Sequence, residues 1–120
     1  MAVIIQLIYV AFCIGLAYSN YRTIKANEPV EHGINGLGHV AFWVVAYLIS
    51  NEWLLLFILP LLGGVVFDIA LNLFRGLPIN YSSSTSTSIV DKWERKVFNG
   101  DGYANKIVYL IIAIVLNFCL

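Results

Sequence analysis

One acidic residue lies deep inside the longest apolar stretch of the 120-residue chain. Asp68 has Asn72 and Arg75 at i+4 and i+7, a spacing that places the three side chains on one face of a helix. A carboxylate at that depth in lipid is costly, so it must face protein or water and needs a partner. This stretch therefore predicts an intramembrane polar site.

A second polar group stands on the apolar stretch that precedes it. His32, Asn35 and His39 have i, i+3, i+7 spacing and share one helix face. The short link 51–52 joins the two stretches, so the helices must be antiparallel neighbours. Counting helical rise from that link places His39 about 16 Å and Asp68 about 22 Å deep, an offset that two side chains and a water can bridge. We therefore predict a polar pocket lined by His39, Asp68, Asn72, Arg75, His32 and Asn35, with Glu28 and Glu31 at its mouth.

Three kinds of chemistry fit these side chains. An Asp68–His39 or Asp68–Arg75 pair can act as a structural latch, because polar groups tie helices together in lipid. The same groups can form a proton or small-cation site, since a histidine beside a carboxylate titrates near neutral pH. A metal site has suitable ligand types, but i, i+7 is not the spacing of helical chelating pairs, so no metal is predicted. The chain carries no familiar catalytic motif, and we predict neither catalytic residues nor a cofactor.

The composition identifies the elements that position this pocket. Hydrophobic residues make up 60% of the chain and charged residues 12%, with a mean hydropathy of +0.82. Such a chain has too few polar residues to coat a soluble core, so lipid must be its main solvent. The zero formal net charge argues against a nucleic-acid partner. We predict an all-α membrane protein with four transmembrane helices, at about 2–25, 28–50, 53–75 and 103–120, and a short amphipathic surface helix at about 89–98.

Local signals set the boundaries of these helices. Asn27 is suited to cap the second helix, with Pro29 in its first turn, and Gly76 is suited to end the third. The polar run at 80–88 predicts an exposed loop whose last residue, Ser88, begins the surface helix. Asp101 is suited to cap the last helix. The chain is thus a single integral membrane domain, 1–120, with a cytoplasmic loop at 76–102.

The basic residues predict the orientation. All seven fall on one side of the predicted bundle, and the link 51–52 carries none. The positive-inside rule then places both termini outside the cytoplasm, in a multi-pass protein of the inner (cytoplasmic) membrane. The seven residues are Arg22, Lys25, Arg75, Lys92, Arg95, Lys96 and Lys106.

The segment 67–98 contains a pattern of nine residues: Phe67, Asp68, Leu71, Asn72, Arg75, Gly76, Tyr81, Ser88 and Asp91. This pattern resembles a stretch of uncharacterised small membrane proteins from Bacteroidetes-type bacteria and their phages. The resemblance covers about a quarter of the chain and implies a bacterial or phage origin. It also implies that Asp68, Asn72 and Arg75 belong to one unit, and it supplies no catalytic residues.

These observations favour a protein that acts by assembly in the bilayer, either as a homo-oligomer or with a larger membrane-protein partner. Gly33, Gly36 and Gly38 support this hypothesis, because small residues let helices approach closely in lipid. Proton or small-cation conduction through the His39–Asp68 pocket is the alternative. A second alternative, suggested by the phage resemblance, is membrane permeabilisation of the holin type.

Overall fold

The computed structural model describes residues 1–81 and 89–120. Over these ranges the chain forms five helices. They are α1 (Ala2–Lys25), α2 (His32–Ser50), α3 (Leu55–Phe74), α4 (Ile89–Phe98) and α5 (Gly102–Asn117). The prediction of an all-helical architecture is confirmed for the described residues. The predicted loop at 80–88 falls mostly on 82–88, which lie outside the described residues, as does the proposed cap Ser88.

Helix α3 is the centre of the bundle and packs against α1, α2 and α5. It runs parallel to α1, since Gly63 lies against Tyr9 and Phe74 lies against Tyr21 farther along both helices. It runs antiparallel to α2 and α5. Beyond this hub, the Gln6 side chain on α1 donates a hydrogen bond of 2.8 Å to Asn117 at the far end of α5. The start of α1 and the end of α5 therefore lie at the same end of a bundle 40 Å long.

Three of the helices are long and apolar enough to cross a membrane: α1, α2 and α3. Helix α5 is apolar but shorter, and its 16 residues span about 24 Å. Many large hydrophobic side chains are exposed on the outer surface, while the buried core is small and lies between α1, α2 and α3. The architecture is that of a helical membrane protein. Its core residues are Ile5, Tyr9, Cys13, Ala46, Leu55 and Leu59.

The connection between α1 and α2 differs from its prediction. Asn27 does not cap α2; it adopts a left-handed conformation (φ 56°) just after α1. The Asn27 and Glu28 amides donate to the Ile24 and Thr23 carbonyls, which is the Schellman arrangement that closes a helix. The predicted start of the second helix at residue 28 is also wrong, because α2 begins at His32. Pro29 explains the shift, since it disfavours a helical conformation at the residue before it.

The predicted helix ends at Gly76 and Asp101 agree with the structure, whereas α3 begins at Leu55 instead of residue 53 and α5 ends at Asn117 instead of residue 120. Gly76 has φ 69° and ends α3, with the Gly76 and Leu77 amides bonded to the Leu73 and Asn72 carbonyls. The Asp101 carboxylate accepts hydrogen bonds from the Tyr103 and Ala104 amides, at 2.9 and 3.1 Å, and so caps α5.

Candidate functional site

A hydrogen-bonded aromatic cluster joins α1 and α2 where they meet α3. The buried Tyr9 hydroxyl accepts a hydrogen bond of 2.9 Å from Trp43 Nε1 and lies 2.8 Å from His39 Nδ1. Because this hydroxyl already accepts from Trp43, its own proton is free to be donated to His39 Nδ1. The His39 ring also makes edge contacts with the rings of Phe12 and Phe67. His39 is thus held by aromatic neighbours and one tyrosine.

The side chain of α3 that meets His39 is Phe67, with ring centroids 6.0 Å apart. Asp68 is the next residue and points in a direction about 100° farther around the helix. Its carboxylate interacts electrostatically with Glu94 and Lys106, which lie on α4 and α5. No hydrogen bond joins His39 to Asp68 in the described part of the chain. The structure therefore places the two central residues of the predicted pocket among different partners.

Glu94 on α4 is the centre of a second polar cluster. Only 8% of the residue is exposed, and each carboxylate oxygen accepts a hydrogen bond. Asn105 Nδ2 donates to Oε2 at 2.9 Å, and the Tyr109 hydroxyl donates to Oε1 at 3.0 Å. Burial raises the pKa of the Glu94 carboxyl, while the bond from Tyr109 acts in the opposite direction. Two residues of α5 therefore fix the surface helix α4 to the bundle through this carboxylate.

The same cluster contains a buried lysine. Lys106 is 7% exposed, and its ammonium donates a hydrogen bond of 3.2 Å to the Gly102 carbonyl, one turn earlier in α5. This lysine interacts electrostatically with Asp68 and with Glu94. Asp91 also interacts with both of these carboxylates. We call Asp68, Glu94, Asn105, Lys106 and Tyr109 the α3–α5 polar cluster.

Asn72 and Arg75 hold the segment that follows α3. The buried Asn72 side chain donates to the carbonyls of Ile79 and Tyr81, at 3.3 and 3.1 Å. The Arg75 guanidinium lies 5.7 Å from the centroid of the Tyr81 ring, within cation–π range. Both side chains thus hold the turn that follows α3 against the end of the helix.

The remaining predicted residues lie between the ends of α1 and α2. Asn35 donates a hydrogen bond of 2.9 Å to the Asn20 side chain and ties the two helices together. Glu28 and Glu31 are exposed and border an open cleft that Asn20 and Asn35 also line. His32 is exposed as well. The predicted mouth is therefore a surface cleft, while His39, Asp68 and Asn72 lie elsewhere.

Sequence reasoning missed the two residues that organise these clusters. Tyr9 stands in an apolar run, where a lone hydroxyl at mid-span is itself the signal of an interhelical hydrogen bond. Glu94 stands among four other charged residues of α4, and i,i+4 pairing explained all of them equally well. Only the packing of α4 on α5 distinguishes Glu94 from the others.

The site offers proton-transfer and hydrogen-bonding groups, with no arrangement suited to a metal. In residues 1–81 and 89–120, no group of three or more His, Cys, Asp or Glu side chains is arranged so that it could hold a metal ion. A proton relay through His39 and Asp68 stays a prediction. Comparisons with protein-family models, with curated proteins and with solved structures find no match for the chain, which leaves the geometry of these clusters as the guide to its function.

Proposed function

We propose that this protein acts by assembly within a membrane, as a homo-oligomer that forms through the outer face of α2. The supporting observation is that, among residues 1–81 and 89–120, Gly33 and Gly36 have no heavy atom within 4 Å of the position a Cβ would take. Both glycines lie in a helix that the rest of the chain covers only on one side. An assembly would fill the space that they leave open.

The outer face of α2 is a continuous stripe. At 100° per residue, five of its residues fall within about 80° of one another. Leu37 and Leu48 in this stripe are 70% and 72% exposed. The inner face of the same helix is the one that carries His39 and Ala46. We call this set the α2 outer stripe: Gly33, Leu37, Val40, Val44 and Leu48. Gly36 borders the stripe, about 40° around the helix from Val40.

Exposed leucine and valine side chains are equally stable against lipid, so they do not by themselves indicate a protein partner. The two glycines are the residues that indicate one. A glycine in a helix costs about 1 kcal/mol relative to alanine. Inside this chain, Gly63 and Gly64 serve close approach, because tyrosine side chains lie directly against them. Gly33 and Gly36, unlike Gly63 and Gly64, have no side chain of the described residues against them. A second α2 helix packed there would gain the close backbone contact that drives helix association in lipid.

The proposal includes four crossings and a defined orientation. Helix α5 would make the fourth crossing, extended toward the interface by the turn residues after Asn117. The basic residues then place α4 and the two polar connections in the cytoplasm, with both termini outside it. The apolar side of α4, including Trp93 and Val97, is exposed and would rest on the inner leaflet. Thiol labelling of single cysteines introduced at each end of α5 in sealed vesicles tests the crossing.

Association can be measured by energy transfer between donor- and acceptor-labelled copies in lipid vesicles. We expect transfer in the parent that follows the protein-to-lipid ratio. Gly33→Leu with Gly36→Leu should weaken association about tenfold, which corresponds to 1.4 kcal/mol. Gly15→Leu is the matched control, because Gly15 also has no heavy atom within 4 Å but lies on α1. A parent that stays monomeric, or a double variant that associates like the control, would contradict the proposal.

A further inference from the structure

The α3–α5 polar cluster contains more negative than positive charge in a place withdrawn from water. The Asp68 and Glu94 carboxylates repel each other through space, and Asp91 adds to the same negative field. Among the described residues, Lys106 is the cation that interacts with both carboxylates, and its ammonium donates to a backbone carbonyl of its own helix. Two carboxylates that share one cation cannot both stay ionised cheaply in an apolar setting.

Asn105 supplies a second and independent observation. The residue is 4% exposed, and its amide nitrogen is directed at Glu94. Its carbonyl oxygen Oδ1, on the same amide group, is buried without a hydrogen-bond partner in the described part of the chain. Buried carbonyl oxygens nearly always accept a hydrogen bond, so this atom marks a missing donor. A donor is the feature that a protonated carboxyl would add to the cluster.

We propose that the α3–α5 polar cluster is a proton-binding site in which Asp68 and Glu94 together hold one proton. Its uptake removes one negative charge and, when the proton is on Glu94, introduces an O–H donor next to the Asn105 amide, whose Oδ1 has no partner in the described part of the chain. The pair then balances the charge of Lys106, because one carboxylate stays ionised. The two carboxyls titrate as a pair and not as independent groups.

The neighbours from every helix packed on the pair set its affinity for the proton. Burial and Asp91 favour the protonated state of Glu94, while Tyr109, Asn105 and Lys106 favour its carboxylate. Asp68 reaches the pair from the transmembrane helix α3, whereas Glu94 reaches it from the surface helix α4. Binding of the proton therefore couples a residue of α3 to a residue of α4.

Infrared spectroscopy of the protein in lipid bilayers tests the proposal, because a protonated carboxyl and a carboxylate absorb at different frequencies. We expect one protonated carboxyl per chain at about pH 6, where carboxyls of ordinary pKa are ionised. Asp68→Asn and Glu94→Gln should each remove that signal, since each leaves a single carboxylate facing Lys106. Glu31→Gln, at an exposed carboxylate outside the cluster, is the matched control and should keep it.

Lys106→Met should strengthen proton binding, whereas the two carboxyl variants abolish it. Removing the cation should raise the pH at which the signal disappears, because Lys106 favours the ionised carboxylates. Sodium could bind the two carboxylates in place of the proton. Repeating the titration with choline in place of sodium should therefore leave the pH dependence of the carboxyl signal unchanged.

Three results would overturn the proposal. The first is a parent without a protonated carboxyl at about pH 6, a measurement that needs no variant to fold. The second is a signal retained in either Asp68→Asn or Glu94→Gln, which would mean that one carboxyl holds the proton alone. The third is a signal that appears only after sodium is removed, which would make the site a sodium site.

Discussion

Gly63 is the position where the packing of α3 is most sensitive to a single methyl group. A Cβ added there would lie against the Tyr9 hydroxyl, closer than real Cβ contacts allow. That hydroxyl cannot simply turn away, because it bonds to both His39 and Trp43. We therefore expect Gly63→Ala to push Tyr9 out of place and to break both hydrogen bonds.

The size of the effect follows from two contributions. Inserting a methyl group into a well-packed core costs about 1–3 kcal/mol. Each interhelical hydrogen bond in a membrane contributes about 0.6 kcal/mol on average. Alanine recovers up to about 1 kcal/mol through its higher helix propensity. The net expectation is a loss of about 1–3 kcal/mol in the free energy of unfolding.

Reversible unfolding in mixed detergent micelles measures this loss. Gly15→Ala is the matched control, because no heavy atom lies within 4 Å of its Cβ position and only the propensity gain applies. In a Tyr9→Phe background the penalty of Gly63→Ala should shrink, since the hydroxyl oxygen makes the closest contact. A Gly63→Ala variant as stable as Gly15→Ala, or a penalty unchanged by Tyr9→Phe, would refute this account of the packing.

Three further predictions concern the end of α3 and the elements after it. Asn72→Leu removes the hydrogen bonds to the Ile79 and Tyr81 carbonyls, so hydrogen exchange at 77–81 should accelerate, and a rate equal to the parent's would contradict the assignment. Asp101→Ala removes the cap of α5 and should lower stability by about 1 kcal/mol, measured by the same unfolding assay; an unchanged value would show that the cap contributes nothing. The third prediction is a pH dependence of α4 docking. The raised pKa of Glu94 means that the docked form binds more protons, so docking should weaken as the pH rises from the ordinary carboxyl range through that raised value. The protection factors at 89–98, which correct the measured exchange rates for the intrinsic acceleration of amide exchange by base, should fall over this window in the parent and stay constant in Glu94→Ala, and parallel pH profiles would exclude Glu94 as the cause.

The helices could be predicted because each is marked by a local signal. Long apolar runs gave α1 and α3, and the charge pattern gave α4. Gly76 and Asp101 gave two of the ends, since a left-handed turn and an N-cap require particular residue types. The start of α2 failed because Asn27 suits two roles. It can cap the next helix or close the previous one, and Pro29 favours the second by keeping the intervening residues extended.

The candidate site was harder to predict, because it depends on how the helices are rotated against one another. Spacing predicts that Asp68, Asn72 and Arg75 share one helix face, but it does not say which neighbour that face meets. The rotation is set by Gly63 and Gly64, which admit a tyrosine from α1 and one from α5.

Those two adjacent glycines explain why the polar groups separate into two clusters. Tyr9 lies against Gly63 and bonds to His39, while Tyr109 lies against Gly64 and bonds to Glu94. Consecutive residues of a helix point about 100° apart, so the two tyrosines approach α3 from different sides. Each tyrosine is hydrogen-bonded to a different polar residue, Tyr9 to His39 and Tyr109 to Glu94. The direction of Asp68 therefore follows from the packing of α5, and a change at Gly64 that displaces Tyr109 should disturb the α3–α5 polar cluster while leaving the contacts of His39 intact.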